Sequence, residues 1–585
     1  MVIYTKVMKA VNRLLILLSV ISIVLTGCSR HEDAVTIRIV ETSDVHGHIF
    51  DMDCTTGQER TGSLAKFSTF LKRVRKENKN VIYVDAGDML QGTIDDYHDQ
   101  TSQFNRTSLP AEAFNLLDCF ATVMGNHDFA VGVPSYDRYF RGIKCPVLGA
   151  NVYFDKSGDY LPPYRMREIQ GLRIAFLGMT TPLVNYQLPK DRRELDLADI
   201  IETAKYWVPI LKEKEEADII IGLIHSGYDG GRTDEGLYEN SVRKLLAEVP
   251  GFDIILYGHD HRARNSKTVD CNGDSVLLLN PGPFMEKAAV ATITASRDAE
   301  GKPIIMTQGE LVDITAEMPD KRFIKKLKPW YDDLCMYADS VLGQISEPLD
   351  AGNMLWERST MVDFIHTVQM SFNAAEVSLA VTDFTTPYYP AGDIRLKDMF
   401  GVVDHDNIMV SVMLKGSEIK AVLESSAGQF YNTVTDGNGG MLKTRRSQDG
   451  TVQPRRGVSS LFTAAGIVYE IDVTKSDGNR INIISMSDGK PFDPDKMYRT
   501  TVNSKQYSDT PLSRMAGITN KEMRERMVVS SPADIRYYMI TRIALSREAD
   551  KAYTVPVESQ WKLVPQDIVS GCLAKDTVGF NIMQK

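Results

Sequence analysis

The chain has 585 residues, of which 43% are apolar and 25% are charged, and its formal net charge is −10. This length exceeds what one hydrophobic core supports, so we expect two domains. The acidic balance argues against a protein that holds a nucleic-acid polymer on a basic surface, but it does not exclude a small nucleotide in a local site.

The N-terminal residues 1–28 have the pattern of a targeting segment. Three basic residues precede an apolar run from Leu14 to Leu25, which is too short and too one-sided to predict a membrane span. The run ends in Leu-Thr-Gly-Cys, and this ending resembles the bacterial lipoprotein signal. The resemblance implies that Cys28 is lipidated and anchors an exported chain to the periplasmic or outer face of a bacterial membrane. An ordinary secretory signal is the alternative.

The chain contains seven cysteines, and the six besides Cys28 are widely scattered. No two of them have the spacing of a zinc ribbon. One or two disulfides are compatible with an exported protein, and the sequence does not pair them.

Polar clusters follow five predicted strands in the first half of the chain. An alternating strand begins at Val35, and continuous apolar runs predict the other four. The strand-end clusters contain the candidate metal ligands Asp44, His46, Asp88, Asn126, His225, His259 and His261. Asp85, at the end of its strand, is a candidate to cap or orient the loop that carries Asp88.

Helical patterns alternate with these strands, for example over residues 62–78, 199–213 and 235–248. Alternation of this kind predicts an α/β sandwich in which the strand ends meet at one edge. Oxygen and imidazole ligands gathered there predict a site for two metal ions, which together bind phosphate oxygens and lower the pKa of a shared water. Ligands without thiolate suit zinc, manganese, iron or cobalt, and the sequence does not choose among these.

The five polar clusters that follow the strands, taken in their order along the chain, resemble the calcineurin-like metallophosphoesterases. Within that family they resemble the 5′-nucleotidases and 2′,3′-cyclic-nucleotide 2′-phosphodiesterases. The resemblance implies an α/β fold: a four-layer αββα metallophosphoesterase sandwich, a linker helix, and an α+β 5′-nucleotidase-type C-terminal substrate domain. The expected boundaries are a signal peptide over 1–28, a metallophosphoesterase domain over 35–318, a linker helix over 319–344, a substrate-binding domain over 345–553 and a tail over 554–585.

The family also implies how the ligands are shared between the metal ions. One ion would be held by Asp44, His46 and His261, and the other by Asn126, His225 and His259, with Asp88 as the bridge between them. These seven assignments are carried over by motif, one residue at a time.

His127 matches the family histidine that stabilises the leaving oxygen or the transition state. In the 5′-nucleotidases an acid three residues further on orients this histidine, but here that position is Ala130. Asp128 is adjacent and is kept as a second catalytic candidate, while the partner that orients His127 stays open.

The second half departs from the 5′-nucleotidases in one informative place. Instead of a substrate-gripping loop that resembles Asn-Gly-Gly-Ile-Arg, residues 382–390 contain Phe384 and two prolines, which looks more like the cyclic-nucleotide phosphodiesterase branch. A nucleoside base stacks between two aromatic rings. By family position the candidates are Phe462 and Tyr507, with Phe384 as a third.

These observations predict an exported, lipid-anchored, dinuclear phosphoesterase that hydrolyses small nucleotides to nucleoside and phosphate. We favour 2′,3′-cyclic-nucleotide 2′-phosphodiesterase and 3′-nucleotidase activity. A 5′-nucleotidase or UDP-sugar hydrolase on the same scaffold is the alternative, and an inactive surface lipoprotein that binds nucleotides or a partner is the alternative of another class. We expect a monomer without a nucleic-acid polymer as partner.

Overall fold

A computed structural model of the chain describes residues 34–101, 106–154, 158–159, 161–187, 195–298, 303–382, 388–403, 407–446, 452–508 and 512–579. Cys28 and Phe384 lie outside these residues, so the structure does not address the lipidation or the third aromatic candidate. Within the described ranges, no helix combines the length and the apolar character that crossing a membrane requires.

Two six-stranded sheets form the centre of the first domain. The strands of the first sheet are, in spatial order, Pro303–Asp313, Lys287–Arg297, Val35–Thr42, Val81–Asp85, Ala121–Val123 and Val147–Leu148. The strands of the second sheet are, in spatial order, Arg264–Val269, Ser275–Asn280, Ile254–Tyr257, Ile219–His225, Leu172–Thr180 and Tyr164–Ile169. The central strands of both sheets run parallel, so their carboxyl ends lie at one edge.

The buried side chains show four layers. One core cluster joins the facing surfaces of the two sheets and includes Ile39, Val84 and Leu223. Helices cover the outer surfaces of both sheets. For example, Phe67 packs from a helix on the first sheet and Leu211 from a helix on the second. Strands that are buried on both faces explain the continuous apolar runs in the sequence. The predicted αββα sandwich is confirmed.

The helices of this domain alternate with the strands, as expected. They are Leu64–Glu77, Ile94–Thr101, Leu109–Leu116, Asn126–Ala130, Val133–Gly142, Val184–Gln187, Ile200–Glu213 and Val242–Glu248. Short strands complete the domain: Val152–Phe154, Gly158–Asp159, Leu195–Leu197, Thr233–Asp234 and Leu237–Tyr238.

The predicted helix over 235–248 is wrong in its first half. A β-hairpin precedes the helix, because Asp234 pairs with Leu237 across a two-residue turn. Both turn residues have positive φ, 48° at Glu235 and 86° at Gly236. This is the backbone that a tight hairpin turn requires, and glycine adopts it without steric cost.

The helix Lys321–Ala338 lies within the predicted linker and packs on helices of the first domain. The indole of Trp330 donates a hydrogen bond to the carbonyl of Thr107 at 3.1 Å, and Arg106 pairs with Asp333 at 2.6 Å. A disulfide joins Cys54 to Cys335 on this helix. The helix is therefore held to the first domain covalently as well as by packing.

The second domain contains a five-stranded sheet and a three-stranded sheet. The strands of the larger sheet are, in spatial order, Thr463–Ala465, Val377–Ala380, Met497–Asn503, Ile408–Lys415 and Met527–Asp534. The strands of the smaller sheet are Ile481–Met486, Ile467–Asp472 and Gln560–Val564. Three further pairs are Val341–Ile345 with Gly392–Arg395, Leu349–Asp350 with Tyr388–Tyr389, and Thr444–Arg446 with Val452–Pro454.

Helices pack around these sheets. They are Thr360–Ser371, Met399–Val402, Gly416–Phe430, Ser504–Ser508, Leu512–Ala516, Asn520–Glu525, Ile535–Glu548 and Gln566–Gly579, with 3₁₀ turns at Leu396–Asp398 and Val458–Ser460. Mixed helices and sheets confirm the predicted α+β character of the substrate domain.

Within the expected tail over 554–585, the strand Gln560–Val564 and the helix Gln566–Gly579 are part of the second domain. The strand Gln560–Val564 runs parallel to Ile467–Asp472, and Trp561 lies opposite Tyr469. Cys572, on the final helix, is fully buried. A strand of five residues is too short for hydrophobic periodicity to mark it, and its partner lies far away in the sequence.

The two domains touch through a few specific contacts. Tyr97 of the first domain packs against Phe400 with a ring-centroid distance of 5.3 Å, and the guanidinium of Arg536 lies 4.9 Å from the Tyr97 ring. Arg524 forms an ion pair with both carboxylate oxygens of Asp234, and both side chains are almost completely buried. This ion pair joins the second domain to the hairpin described above.

We predict that replacing both Cys54 and Cys335 with alanine lowers the free energy of unfolding of the oxidised protein by about 2–4 kcal/mol. The disulfide closes a loop with a sequence separation of 281 residues and limits the unfolded chain. Thermal unfolding should show a lower Tm for this variant.

The matched control is Cys271→Ser, which replaces an exposed free cysteine and should leave the Tm unchanged. An equal Tm for the double variant and the wild type would show that the cross-link does not stabilise the fold.

Candidate metal centre

Seven predicted ligands converge at the carboxyl ends of the strands. Asp44, His46 and His261 form one group, and Asp88, His225 and His259 form another. Within each group the potential ligand atoms all lie within 4.8 Å of one another. Asn126 joins the second group, because its Oδ1 lies 2.8 Å from His259 Nδ1 and 3.3 Å from His225 Nε2.

Asp88 lies between the two groups. Its Oδ2 is 3.1 Å from His225 Nε2 in the second group and 3.9 Å from His46 Nε2 in the first. The side chain is 1% exposed. This position is the one that a bridging carboxylate would occupy.

Backbone carbonyls fix the tautomers of two of the histidines. His46 Nδ1 donates to the carbonyl of Gln91 at 2.6 Å, and His225 Nδ1 donates to the carbonyl of Ala86 at 2.7 Å. Since a carbonyl only accepts, each neutral ring presents the lone pair of Nε2 to the centre of the site. Both lone pairs face the carboxylate of Asp88, an arrangement that repels unless positive charge lies between them.

The pKa values of Asp44 and His225 also indicate that the site favours positive charge. Burial acts to raise the pKa of Asp44, but the hydrogen bond from His261 and the nearby His225 outweigh it and lower the pKa to about 2. Burial acts to lower the pKa of His225, but the charge of Asp88 raises it to about 10. Metal cations can supply this charge in place of protons, so the residues fit a pair of divalent ions.

His127 lies beside both groups. Its backbone N–H donates to Asp88 Oδ1 at 2.9 Å, and its ring centroid is 5.3 Å from that of His46. Burial lowers the pKa of His127 to about 3. The imidazole is therefore close enough to the ligands to act on a group bound between them.

Asp128, the second catalytic candidate, binds backbone groups of the neighbouring loops. Its carboxylate accepts from four backbone N–H groups at 2.6–2.8 Å: those of Asp88, Met89, Leu90 and Gly125. These bonds fix the loop that carries Asp88 against the strand that leads to Asn126. Asp128 thus positions the loop that carries Asp88, and a catalytic role for it stays a prediction.

Glu239 is a residue of the site that the sequence analysis missed. Its Oε1 accepts from His259 Nε2 at 3.2 Å, which directs Nδ1 of that ring towards Asn126. Burial acts to raise the pKa of Glu239, but the hydrogen bond from His259 lowers it below its ordinary value. No sequence signal marked this residue, because it was assigned to a helix and lies instead beyond the hairpin.

Phe284 is a second feature that the sequence did not indicate. Its ring stacks on His48 at a centroid distance of 5.1 Å and lies 5.7 Å from both His46 and His261. The residue is 40% exposed and has φ of 60°, so its backbone is strained beside the candidate ligands.

The two described aromatic candidates of the second domain are buried. Phe462 is 3% exposed and Tyr507 is 6% exposed. Tyr507 belongs to the helix Ser504–Ser508, which packs beside Val184–Gln187 of the first domain. Tyr507 thus lies near the boundary of the domains, and the stacking roles of both rings stay predictions.

Two family descriptions match separate parts of the chain. Calcineurin-like phosphoesterase matches residues 37–263, which contain all seven candidate ligands. The 5′-nucleotidase, C-terminal domain matches residues 341–508.

Two curated proteins are similar over most of this chain. The trifunctional nucleotide phosphoesterase protein YfkN of Bacillus subtilis is 23% identical over 582 residues; the match covers 89% of this chain but only 39% of that longer protein. The 2′,3′-cyclic-nucleotide 2′-phosphodiesterase/3′-nucleotidase of Salmonella typhimurium is 25% identical over 610 residues, and the match covers 92% of this chain and 91% of that protein.

A solved structure has the same two-domain architecture. The putative 5′-nucleotidase from Staphylococcus aureus superposes with a TM-score of 0.69 at 18% identity, and the match covers 90% of this chain and all of that one. This similarity shows the fold, and the two family matches show that the chain belongs to the calcineurin-like phosphoesterases that carry a 5′-nucleotidase C-terminal domain.

Proposed function

We propose that this protein hydrolyses small nucleotides as a 2′,3′-cyclic-nucleotide 2′-phosphodiesterase and 3′-nucleotidase, using two divalent metal ions. The observation that carries the proposal is the convergence of seven oxygen and imidazole ligands around Asp88. The named activity of the Salmonella relative, whose length this chain nearly spans, supports the choice of substrate.

The ligands would divide into the two groups that the structure brings together. Asp44, His46 and His261 would hold one ion, Asn126, His225 and His259 would hold the other, and Asp88 would bridge them. When bound, such ions act as Lewis acids on phosphate oxygens and lower the pKa of water.

The protein's own groups prepare the site for this chemistry. The buried loop that is clamped by Asp128 fixes the carboxylate of Asp88. Glu239 accepts a hydrogen bond from Nε2 of His259, the ring nitrogen that does not face Asn126. His127 is placed to donate a hydrogen bond to the oxygen of the departing alcohol, which stabilises charge that develops there.

A substrate panel tests the choice of nucleotide. We expect ring opening of 2′,3′-cyclic AMP and phosphate release from 3′-AMP. For both substrates kcat/KM should be at least about tenfold above that for 5′-AMP, because each ester presents a different leaving oxygen to His127. The metal-reconstituted protein is assayed on the three substrates side by side, with UDP-glucose as a fourth. Exclusive cleavage of 5′-AMP would make the protein a 5′-nucleotidase instead.

Replacement of the bridging carboxylate separates an enzyme from a nucleotide-binding protein. We expect Asp88→Asn to lower kcat by about a hundredfold or more, because several kcal/mol of charge stabilisation are lost and each 1.36 kcal/mol is about tenfold in rate. The number of bound metal ions per chain, measured by elemental analysis, should also fall.

The matched control is Asp488→Asn, which replaces an exposed carboxylate that pairs with Lys490. This variant should keep the activity and the metal content of the wild type. The protein would be a binding protein rather than an enzyme if the wild type bound nucleotides without hydrolysing them and Asp88→Asn bound them with the same affinity.

We also propose that the protein is exported and anchored to the cell envelope through a lipid on Cys28. The support is the Leu-Thr-Gly-Cys ending of the apolar N-terminal run. Two or more acyl chains on one residue are sufficient for stable membrane anchoring.

Labelling of cells with a radioactive fatty acid tests this anchor. We expect the wild type to carry label and to sediment with membranes, and Cys28→Ser to carry none and to lose its membrane association. Cys271→Ser serves as the control with an unchanged N-terminus. Equal labelling of the wild type and Cys28→Ser would exclude Cys28 as the lipid attachment site.

A further inference from the structure

Gln91 holds two histidines of the site at once. Its backbone carbonyl accepts from His46 Nδ1 at 2.6 Å, and its side-chain Oε1 faces Nδ1 of His127 within hydrogen-bond distance. The residue is 7% exposed, although glutamine is usually a surface residue. Its buried amide is therefore directed at the site.

The loop that carries Gln91 is fixed on both sides. Before it, the N–H groups of Met89 and Leu90 donate to Asp128 Oδ1 at 2.8 and 2.6 Å. After it, Gly92 approaches His46 so closely that a side chain at this position would lie 2.6 Å from His46 Cβ. The backbone of Gln91 is thus held in place beside His46.

Ala130 offers no side-chain acceptor to His127, and both carboxylate oxygens of Asp128 accept from backbone N–H groups. We propose that Gln91 is the positioning residue of His127. This contact occupies Nδ1 and fixes the orientation of the His127 ring, so Nε2 is the atom left to face the leaving oxygen.

This inference rests on the proposed function, because it assigns a role in the departure of the alcohol. It distinguishes the side chain of Gln91 from its backbone: the carbonyl supports a metal ligand, and the amide supports His127. Substitution of the side chain should therefore impair leaving-group departure without loss of the metal ions.

The test compares Gln91→Leu, which has similar volume and no acceptor, with Gln91→Glu, which keeps an acceptor oxygen at the same reach. We expect Gln91→Leu to lower kcat for 3′-AMP by about 10- to 100-fold, the usual effect of removing a group that orients a functional histidine. KM and metal content should stay near the wild-type values, and Gln91→Glu should recover most of kcat.

Comparison of kcat for two leaving groups separates a role in leaving-group departure from a merely structural role. The nitrophenolate of 4-nitrophenyl phosphate leaves readily without help, whereas the alkoxide of 3′-AMP does not. We expect Gln91→Leu to change kcat for the aryl ester by no more than about threefold. In a His127→Ala background, Gln91→Leu should cause little further loss on either ester, because the two residues act as one unit. Gln308→Leu, on an exposed strand, is the matched control.

Equal loss of kcat on both esters, a lower metal content, or additive effects of the two substitutions would overturn the proposal and leave Gln91 as support for the loop alone. If the wild type cleaves no nucleotide, the proposed function fails, and the comparison proceeds with glycerol 2-phosphate as the alkyl ester. Failure of the wild type to cleave any of these esters would overturn both.

Discussion

The carboxylates and imidazole lone pairs around Asp88 repel one another, and they are buried where water cannot screen that repulsion. His225 Nε2 and His46 Nε2 both face Asp88 Oδ2, because backbone carbonyls take the protons of the opposite ring nitrogens. Positive charge among these groups relieves the repulsion. Divalent cations would supply that charge, so metal binding and the integrity of the site would be linked.

The scaffold that imposes this constraint also stores strain at the ligands. Five of the seven candidate ligands have positive φ although none is glycine: Asp44 at 50°, His46 at 46°, Asp88 at 60°, His259 at 80° and His261 at 55°. Such backbone costs of order 1–3 kcal/mol per residue and persists where surrounding structure over-determines it. Here the parallel strands fix one side of each loop, and the four backbone bonds of Asp128 fix the loop that carries Asp88.

The sequence predicted the strands and their polar ends because both signals are local. Continuous apolar runs gave the sheets, and the carboxyl ends of parallel strands meet whatever the intervening helices do. Glu239 was missed because the two positive-φ residues of its hairpin turn leave no mark on hydrophobic periodicity. From the sequence, Gln91 could be assigned only to a loop. The side chain that its amide contacts depends on how two separate segments of the chain pack, and no local pattern predicts that. The strand Gln560–Val564 was placed in a tail for the same reason: its partner, Ile467–Asp472, lies far away in the sequence.

One hairpin connects the second domain to the metal centre. Asp234, on its first strand, pairs with Arg524 of the second domain, and Glu239, just beyond its second strand, holds His259. The carbonyl of Glu239 also accepts from Ser226 Oγ at 2.6 Å, next to the ligand His225. Because the Arg524–Asp234 pair is nearly excluded from solvent, removal of Arg524 would leave the buried carboxylate of Asp234 without the charge that compensates it. The ion pair to the second domain and the hydrogen bond that orients His259 therefore belong to one short segment, residues 234–239. A displacement of this segment would change both the contact between the domains and the orientation of one candidate ligand.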